Sequence, residues 1–215
     1  MKRIQNFFKD DLSITKEPFL LSILKAVIFT VLIAITFTWN FDTSKNPIWA
    51  PISLISIILI IILMHFCGLK FFKLKPLRLK DLLIVVGAYL FTYGLNNLYE
   101  YLVDFNNVNE AGLGNEYATV PFLASAIALA LMPAIAEELV FRGMIMRVLF
   151  RNHLFIGMIV SSVIFAALHQ ADSLIGYLPY FYSAIILSLV YLKTKRIEAA
   201  MLMHFINNFI SVLTL

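Results

Sequence analysis

Charged residues are scarce in this sequence. They make up 14% of the 215 residues, whereas hydrophobic residues make up 61%. Soluble proteins contain about a quarter charged residues, and a soluble domain of this length has too little interior to bury so much apolar surface. The composition therefore excludes a soluble enzyme and a disordered chain. The single cysteine, Cys67, has no partner for an intrachain disulfide, which excludes a secreted disulfide scaffold.

The hydrophobic residues occur in long runs, which predict helices that cross a membrane. The alternating segments of about ten residues that a transmembrane β-barrel requires are missing. Seven runs can be counted, at about 19–39, 47–68, 81–100, 119–141, 154–172, 176–192 and 197–215. We therefore expect an all-α polytopic membrane protein with about seven transmembrane helices, in which residues 1–215 form a single membrane domain.

Lysine and arginine are unevenly divided between the connections. They concentrate in segment 1–18, between runs two and three, after run four, and between runs six and seven, whereas the other connections contain only Lys45. The positive-inside rule then predicts a cytoplasmic amino terminus and an outside carboxyl terminus. The net charge of +4 follows from this topology, so the sequence gives no reason to expect a nucleic acid partner. The Ile-, Lys- and Asn-rich composition suggests a bacterial cell membrane.

Two segments outside the runs have their own patterns. Ile4, Phe7, Phe8 and Leu12 recur at helical spacing among basic residues, which predicts a short helix lying on the membrane surface; a frayed polar tail is the alternative. Segment 104–118 is predicted to be the one long, mobile loop, on the outer side of the membrane.

Run four contains ionisable residues where few are expected. Placing a charge at bilayer depth costs roughly 2.5–3.5 kcal/mol, so an ionisable residue within a run indicates a structural or functional role. Glu138 and Arg142 are four residues apart and can pair on one helix face. Glu137 is turned about 100° away from Glu138, so it can face an open cavity. There it could act as a general base.

Two further pairs at helical spacing follow in later runs. Phe165 and His169 share a face of run five, and His204 and Asn208 share a face of run seven. If these helices converge, the acids, the imidazoles and the amide meet in one cavity, within a core formed by helices four to seven. His169 lies deeper in its run than His204, which would offset the two by roughly 12 Å in straight helices.

The marks of several other intramembrane hydrolases are missing. The sequence contains no His-Glu-x-x-His zinc motif and no Gly-x-Ser-Gly, and its runs contain no aspartate except Asp81 and Asp172 at their ends. Cys67 is separated from both histidines by run order, which makes a thiol nucleophile unattractive.

The three motifs Glu137-Glu138-x-x-x-Arg142, Phe165-x-x-x-His169 and His204-x-x-x-Asn208 resemble, in order and spacing, the signature of the CAAX prenyl protease and bacteriocin-processing family. This family, also called Abi or CPBP, includes the Ras-converting endopeptidase. The resemblance covers residues 119–215 and implies an intramembrane endopeptidase whose cavity opens towards the cytoplasm. Residues 1–118 show only general membrane character.

The resemblance also implies roles for the motif residues. Glu137 would activate the attacking water with help from His169, and His204 and Asn208 would stabilise the oxyanion. The remaining motif residues would support the site, namely Glu138, Arg142 and Phe165. A zinc ion held by Glu137, His169 and His204 is an alternative that the sequence leaves open, although we favour a metal-free base.

The substrate is expected to be a membrane-associated peptide or protein. Both CAAX-type cleavage and the processing of bacteriocins or signal peptides fit the resemblance, and a bacterial source favours the second. Two other functions stay open: a non-catalytic immunity protein that sequesters a bacteriocin, and a proton-coupled transporter, because intramembrane Glu and His also mark proton relays. The sequence does not determine the oligomeric state.

Overall fold

The structure is a computed structural model that describes residues 6–103 and 108–214. All regular secondary structure in these residues is helical, which confirms the all-α prediction. The longer helices are α1 (Phe19–Phe41), α2 (Trp49–Phe66), α3 (Leu79–Val103), α4 (Val108–Tyr117), α5 (Phe122–Leu149), α6 (Leu154–Ala167), α7 (Leu178–Thr194) and α8 (Ile197–Val212). Short 3-10 turns at Asp42–Ser44 and Ile175–Tyr177 follow α1 and precede α7.

Each predicted run corresponds to one apolar helix, so the chain is a multi-pass membrane protein. The five helical segments Phe19–Ser44, Trp49–Phe66, Leu79–Val103, Phe122–Leu149 and Ile175–Thr194 are long and apolar enough to cross a bilayer. Helices α6 and α8, with 14 and 16 residues, are shorter than the usual span of about 20. Run five was predicted to continue to residue 172, but α6 ends at Ala167, before the polar segment 170–173.

The segment predicted as a long loop contains helix α4. Its last residue, Tyr117, is buried, and Ser44 Oγ donates a hydrogen bond to Glu116 Oε1 at 2.5 Å. The two glycines of this segment lower its helix propensity, but contact with the bundle decides its conformation. The prediction of an irregular loop is therefore wrong for 108–117, whereas Asn106 and Asn107 lie outside the described residues.

Only part of the predicted surface helix falls within the described residues, where Asn6 and Phe7 are helical. Ile4 lies outside the described residues, and residues 9–17, which we name the strap, are irregular. The strap lies across one end of the bundle, where Ile14 is buried and its carbonyl accepts a hydrogen bond from the Lys70 amide at 2.9 Å. Phe7 and Phe8 pack against the hydrophobic core. Hydrophobic spacing that suggested a lipid-facing helix thus serves packing against the protein itself.

Arg147 fastens the strap to the end of α5. Its buried guanidinium lies 2.9 Å from Asp10 Oδ1 and 2.7 Å from Asp11 Oδ1, and its Cζ lies 5.8 Å from the ring centroid of Tyr191. Burial raises the pKa of Asp11, but the hydrogen bonds from Arg147 and Ser13 and the arginine charge outweigh it. The pKa of Asp11 is therefore held well below its ordinary value.

The basic residues meet at this end of the bundle. Lys25 Nζ, near the start of α1, contacts Glu17 at 2.7 Å and the Cys67 carbonyl, just after α2, at 2.6 Å. Lys195 Nζ, before α8, contacts the Phe7 carbonyl at 3.1 Å. Every described lysine and arginine except Lys45 and Arg142 lies on the connections or helix ends here. We call it the basic end.

The opposite end gathers the other helix termini. The rings of Trp39 and Trp49 lie 6.4 Å apart, which brings the end of α1 to the start of α2. Asn40 Nδ2 donates to the Ala128 carbonyl in α5 at 2.9 Å, and Tyr99 Oη donates to the Ile175 carbonyl at 3.1 Å. The charged side chains described here are Lys45 and four acids, Asp42, Glu100, Glu116 and Asp172. We call it the acidic end.

Replacement of Arg147 by Gln should loosen the strap. The change leaves the nearly buried Asp10 carboxylate without its cation, so we expect the free energy of unfolding in detergent to fall by about 3 kcal/mol. Limited proteolysis should also cut within residues 9–17 sooner than in the unmodified protein. Lys45→Gln breaks an exposed ion pair and is the matched control, with no measurable change expected. Equal proteolysis of both variants would contradict the fastening role.

Candidate functional site: an acid, two imidazoles and an amide around one cavity

Helix α5 carries both glutamates at its centre. Its α-helical segment Met132–Glu138 lies between two segments wound with the wider π-helical turn, Ala126–Leu131 and Leu139–Leu149. Proline at position 133 lacks the amide hydrogen that a regular helix would use there. Wide turns are frequently found at functional sites, because they change which side chains face inward.

Glu138 and Arg142 form the predicted ion pair, fully inside the protein. Arg142 Nη1 donates to Glu138 Oε1 at 2.7 Å, with side-chain exposures of 1% and 0%. Arg142 Nη2 donates to the Ala184 carbonyl of α7 at 2.8 Å. The pair therefore connects α5 to α7, and its charges are compensated without any contact with water.

Glu138 also positions His204 of α8. The imidazole Nδ1 lies 2.9 Å from Glu138 Oε1, the oxygen that Arg142 contacts as well. An ionised carboxylate only accepts hydrogen bonds, so Nδ1 carries a proton and donates it. The other ring nitrogen, Nε2, points towards Glu137, with 3.8 Å between it and Glu137 Oε2.

Glu137 faces a cavity, as its angular separation from Glu138 predicts. Its side chain retains 20% exposure, whereas Glu138 is buried. Glu137 Oε2 has no hydrogen-bond partner among the described residues. Oε2 is itself buried, so the part of the side chain that stays exposed is the part that can meet a water molecule or a substrate.

His169 lies just beyond the carboxyl end of α6 rather than within a helix. Its Nδ1 is 2.7 Å from the Phe165 carbonyl oxygen, which can only accept a hydrogen bond, so Nδ1 carries a proton and donates it. When the ring is neutral, Nε2 is unprotonated and can accept a hydrogen bond. The ring stacks on Tyr180 at 4.2 Å between centroids and on Phe165 at 4.6 Å. Two aromatic contacts and one hydrogen bond therefore hold its orientation.

Phe165 lies between the two histidines. Its centroid is 6.0 Å from that of His204 and 4.6 Å from that of His169. Because both imidazole rings lie beside the same phenyl ring, the offset expected from straight helices does not keep the two histidines apart. Phe141 packs edge-on against Phe165 at 5.1 Å and supports this arrangement.

The cavity has a volume of about 700 Å³. Among the predicted residues, its lining includes Glu137, Phe165, His169, His204 and Asn208, whereas Glu138 and Arg142 lie behind it. The structure thus brings the acid, both imidazoles and the amide to one space, which the sequence argument required.

Several lining residues were not singled out from the sequence. Asn207 lines the cavity beside Asn208, and its Nδ2 donates to Asn208 Oδ1 at 3.4 Å. Tyr180 stacks on His169, and Asn40 lines the wall that α1 contributes. Asn96 of α3 also lines the cavity and accepts a hydrogen bond from Tyr182 Oη at 2.6 Å. The sequence signal that could have identified Asn207 is its position next to Asn208 in an apolar helix.

The proposed zinc ligands do not gather into a metal-binding group. In residues 6–103 and 108–214 no three His, Cys, Asp or Glu side chains come close enough together to hold a metal ion. The hydrogen bond from His204 Nδ1 to Glu138 leaves Nε2 free, as in many zinc sites, so the obstacle is the spacing of the donor side chains. The side chains as arranged therefore do not fit a three-ligand zinc centre.

The cavity lies at the acidic end of the bundle. Its walls include the second half of α1 (Thr30 to Phe41), Thr92 and Asn96 of α3, and residues 168–170. These parts are remote from the strap. The sequence predicted both a cytoplasmic opening of the cavity and a cytoplasmic basic end. Because the cavity lies at the opposite end from the basic residues, the two predictions cannot both hold in this structure.

The fold and the site define an all-α, multi-pass membrane protein whose mainly apolar cavity contains a carboxylate and two imidazoles. Residues 119–210 match a protein-family model described as Type II CAAX prenyl endopeptidase Rce1-like. The carboxy-terminal part of the chain, from just before α5 into α8, is thus similar to this family. The match confirms the family that the three motifs indicated. Neither the curated proteins nor the solved structures contain a match.

Replacement of Glu138 by Gln should weaken the fold. It leaves the buried Arg142 without a counter-charge, so the free energy of unfolding should fall by roughly 3–5 kcal/mol. Glu137→Gln, one residue away, removes a carboxylate that makes no hydrogen bond and should unfold like the unmodified protein. The comparison is made by thermal unfolding in detergent.

If Glu138→Gln fails to fold, a double variant tests whether the unbalanced charge of Arg142 is the cause. Glu138→Leu combined with Arg142→Met removes both charges and keeps most of the volume, which is often tolerated in protein interiors. We expect this variant to be more stable than Glu138→Gln. If the double variant is less stable than Glu138→Gln, the ion pair contributes more to the stability of the protein than the neutralisation of each charge by the other.

Proposed function

We propose that this protein is an intramembrane endopeptidase that hydrolyses a peptide bond with a water molecule activated by Glu137. The observation that supports it most strongly is the shared cavity, in which an unpartnered carboxylate oxygen faces His204 while His169 and Asn208 line the same wall. Residues 1–215 would form one membrane domain, in which residues 119–215 are the core that carries the site.

Glu137 would act as the general base. Its free oxygen takes a proton from water as the water oxygen attacks the carbonyl carbon of the scissile bond. The protonated carboxyl then delivers that proton to the leaving nitrogen, and the C–N bond breaks. Every proton is accounted for without a nucleophilic side chain on the protein.

His169 would orient the attacking water. With Nδ1 donating to the Phe165 carbonyl, Nε2 can accept a hydrogen bond from the water molecule that Glu137 deprotonates. Two acceptors, one carboxylate and one imidazole, would then fix both hydrogens of the water, so that its lone pair points at the substrate carbonyl. Tyr180 and Phe165 would keep the ring at the required angle.

Asn208 and His204 would stabilise the oxyanion. The amide oxygen of Asn208 receives a hydrogen bond from Asn207, which leaves its Nδ2 hydrogens free to donate. Nε2 of His204 can donate only when the ring is the imidazolium, because Nδ1 already carries a proton directed at Glu138. The oxyanion role therefore requires a charged His204, whose charge the adjacent carboxylates would balance. Glu138 and Arg142 would act as positioning residues.

The substrate would be a peptide or protein at the membrane. With a bacterial source, processing of a bacteriocin or signal peptide is our preferred role, and CAAX-type cleavage is the alternative. A non-catalytic immunity protein would use the same cavity for binding alone. That function would be unaffected by loss of a base, which makes Glu137 the residue that separates the alternatives.

Replacement of Glu137 by Gln should abolish cleavage without unfolding the protein. Loss of a general base lowers turnover by roughly 10²–10⁴-fold, whereas the isosteric amide preserves the cavity. Purified unmodified, Glu137→Gln and His169→Ala proteins are compared on a panel of labelled membrane peptides, with product masses identified. If Glu137→Gln still cleaves at the original rate, the proposed base is wrong. Immunity that persists in cells producing this variant would favour binding over proteolysis.

The two neighbouring asparagines should differ in their effects. Asn208→Ala removes a proposed oxyanion donor and should lower kcat by roughly 10²–10³-fold with little change in KM. Asn207→Ala removes only the group that orients Asn208 and should have a smaller effect on kcat. Steady-state rates of both variants on one peptide test this order. A larger loss for Asn207→Ala would show that Asn207, and not Asn208, donates to the oxyanion.

Chelation should leave the activity intact. The donor arrangement does not form a three-ligand centre, so cleavage should persist after dialysis against a chelator. Total metal is measured by mass spectrometry on the same samples. Stoichiometric zinc whose removal and return switch cleavage off and on would overturn the metal-free mechanism.

A further inference from the structure

The walls of the cavity continue to the surface at the acidic end. Leu168 and Phe41, which line it, are 74% and 58% exposed, and Gln170 is exposed as well. Tyr117 of α4 is a further lining residue from the same end. The cavity thus has its mouth among the segments that follow α1, precede α5 and join α6 to α7.

The path from the site to the basic end is filled by packed side chains. Gly143, one turn beyond Glu138, lies under the ring of Phe71, where an added Cβ would come within 2.8 Å of the ring. Further along α5, Met146 and Arg147 are buried, and the strap covers them. A peptide cannot reach Glu137 from this end without displacing the strap and this packed layer.

The distribution of charge assigns a membrane side to each end. Basic residues concentrate on the cytoplasmic side of membrane proteins, because they resist translocation. All described lysines and arginines apart from Lys45 and Arg142 are at the end that the strap covers, whereas the mouth is flanked by Asp42, Glu116 and Asp172. The two observations together place the mouth on the side away from the cytoplasm.

We propose that this protease receives its substrate from the extracytoplasmic face, so that its substrates are polypeptide segments exposed outside the cell membrane. The inference rests on the proposed peptidase function and specifies the substrate class. A prenylated carboxyl terminus made and held in the cytoplasm would meet the closed, basic end. The described lining residues include no lysine or arginine, so a substrate carboxylate would meet no permanent cation there. Internal peptide bonds are therefore the expected targets.

Cysteine accessibility tests the direction of opening. In a Cys67→Ser background, single cysteines replace Leu168 at the mouth, Leu174 at the same end and Leu74 at the basic end, all at least 74% exposed. Intact cells are treated with a membrane-impermeant maleimide before and after permeabilisation. We expect Leu168→Cys and Leu174→Cys to react in intact cells, and Leu74→Cys to react only after permeabilisation. The reverse pattern would overturn the inference.

The same variants test whether the labelled mouth serves the site. A bulky maleimide on Leu168→Cys should block peptide cleavage at least tenfold, whereas the same label on Leu174→Cys, which does not line the cavity, should leave cleavage nearly unchanged. Equal inhibition, or none, would contradict access through this mouth.

A vesicle experiment distinguishes failure of the inference from failure of the proposed function. A membrane-impermeant quenched peptide is added to right-side-out and to inside-out vesicles, with Glu137→Gln vesicles as the blank. Cleavage confined to right-side-out vesicles is expected, and cleavage confined to inside-out vesicles would overturn the inference. Cleavage in neither, combined with the expected labelling pattern, would refute the peptidase function while the outward opening holds.

Discussion

The site depends on one buried carboxylate. Oε1 of Glu138 accepts hydrogen bonds from Arg142 and from His204, and Arg142 in turn donates to the Ala184 carbonyl. These contacts join α5, α7 and α8 around a single negative charge that has no access to water. Desolvating such a charge is costly unless it is paired, and here Arg142 supplies the pairing although Glu138 Oε2 has no partner among the described residues. The histidine can therefore occupy its place in the cavity only while the ion pair behind it is intact.

Adjacent glutamates thus have opposite environments. Helical geometry turns Glu138 into the protein and Glu137 into the cavity, so that one carboxylate holds an imidazole while the other is left without a hydrogen-bond partner. The proposed mechanism needs this division, because a base that is already paired cannot take a proton from water. In that mechanism Glu138 holds the helices together and Glu137 supplies the reactive carboxylate.

The motif residues and their convergence could be anticipated, but their surroundings could not. Charge scarcity predicted membrane helices, and spacing placed Glu138 against Arg142. Spacing also suggested that His169 belongs to a helix, whereas α6 ends two residues earlier and the ring is held by Tyr180, a residue far along the chain from Phe165. Similarly, Phe7 and Phe8 have the pattern of a lipid-facing helix but pack against the core. Periodicity identifies an apolar face without saying what covers it.

By itself, the sequence determined the class of protein, the apolar helices, the basic bias of alternate connections and the three motifs, because each depends on composition or on spacing within one helix. Only the tertiary structure decided that the strap closes the basic end and that the cavity opens at the acidic one. The helix ends that surround a site come from segments distant in the chain. Which end stays open therefore depends on how those segments pack, and packing between distant segments leaves no periodic trace in a sequence.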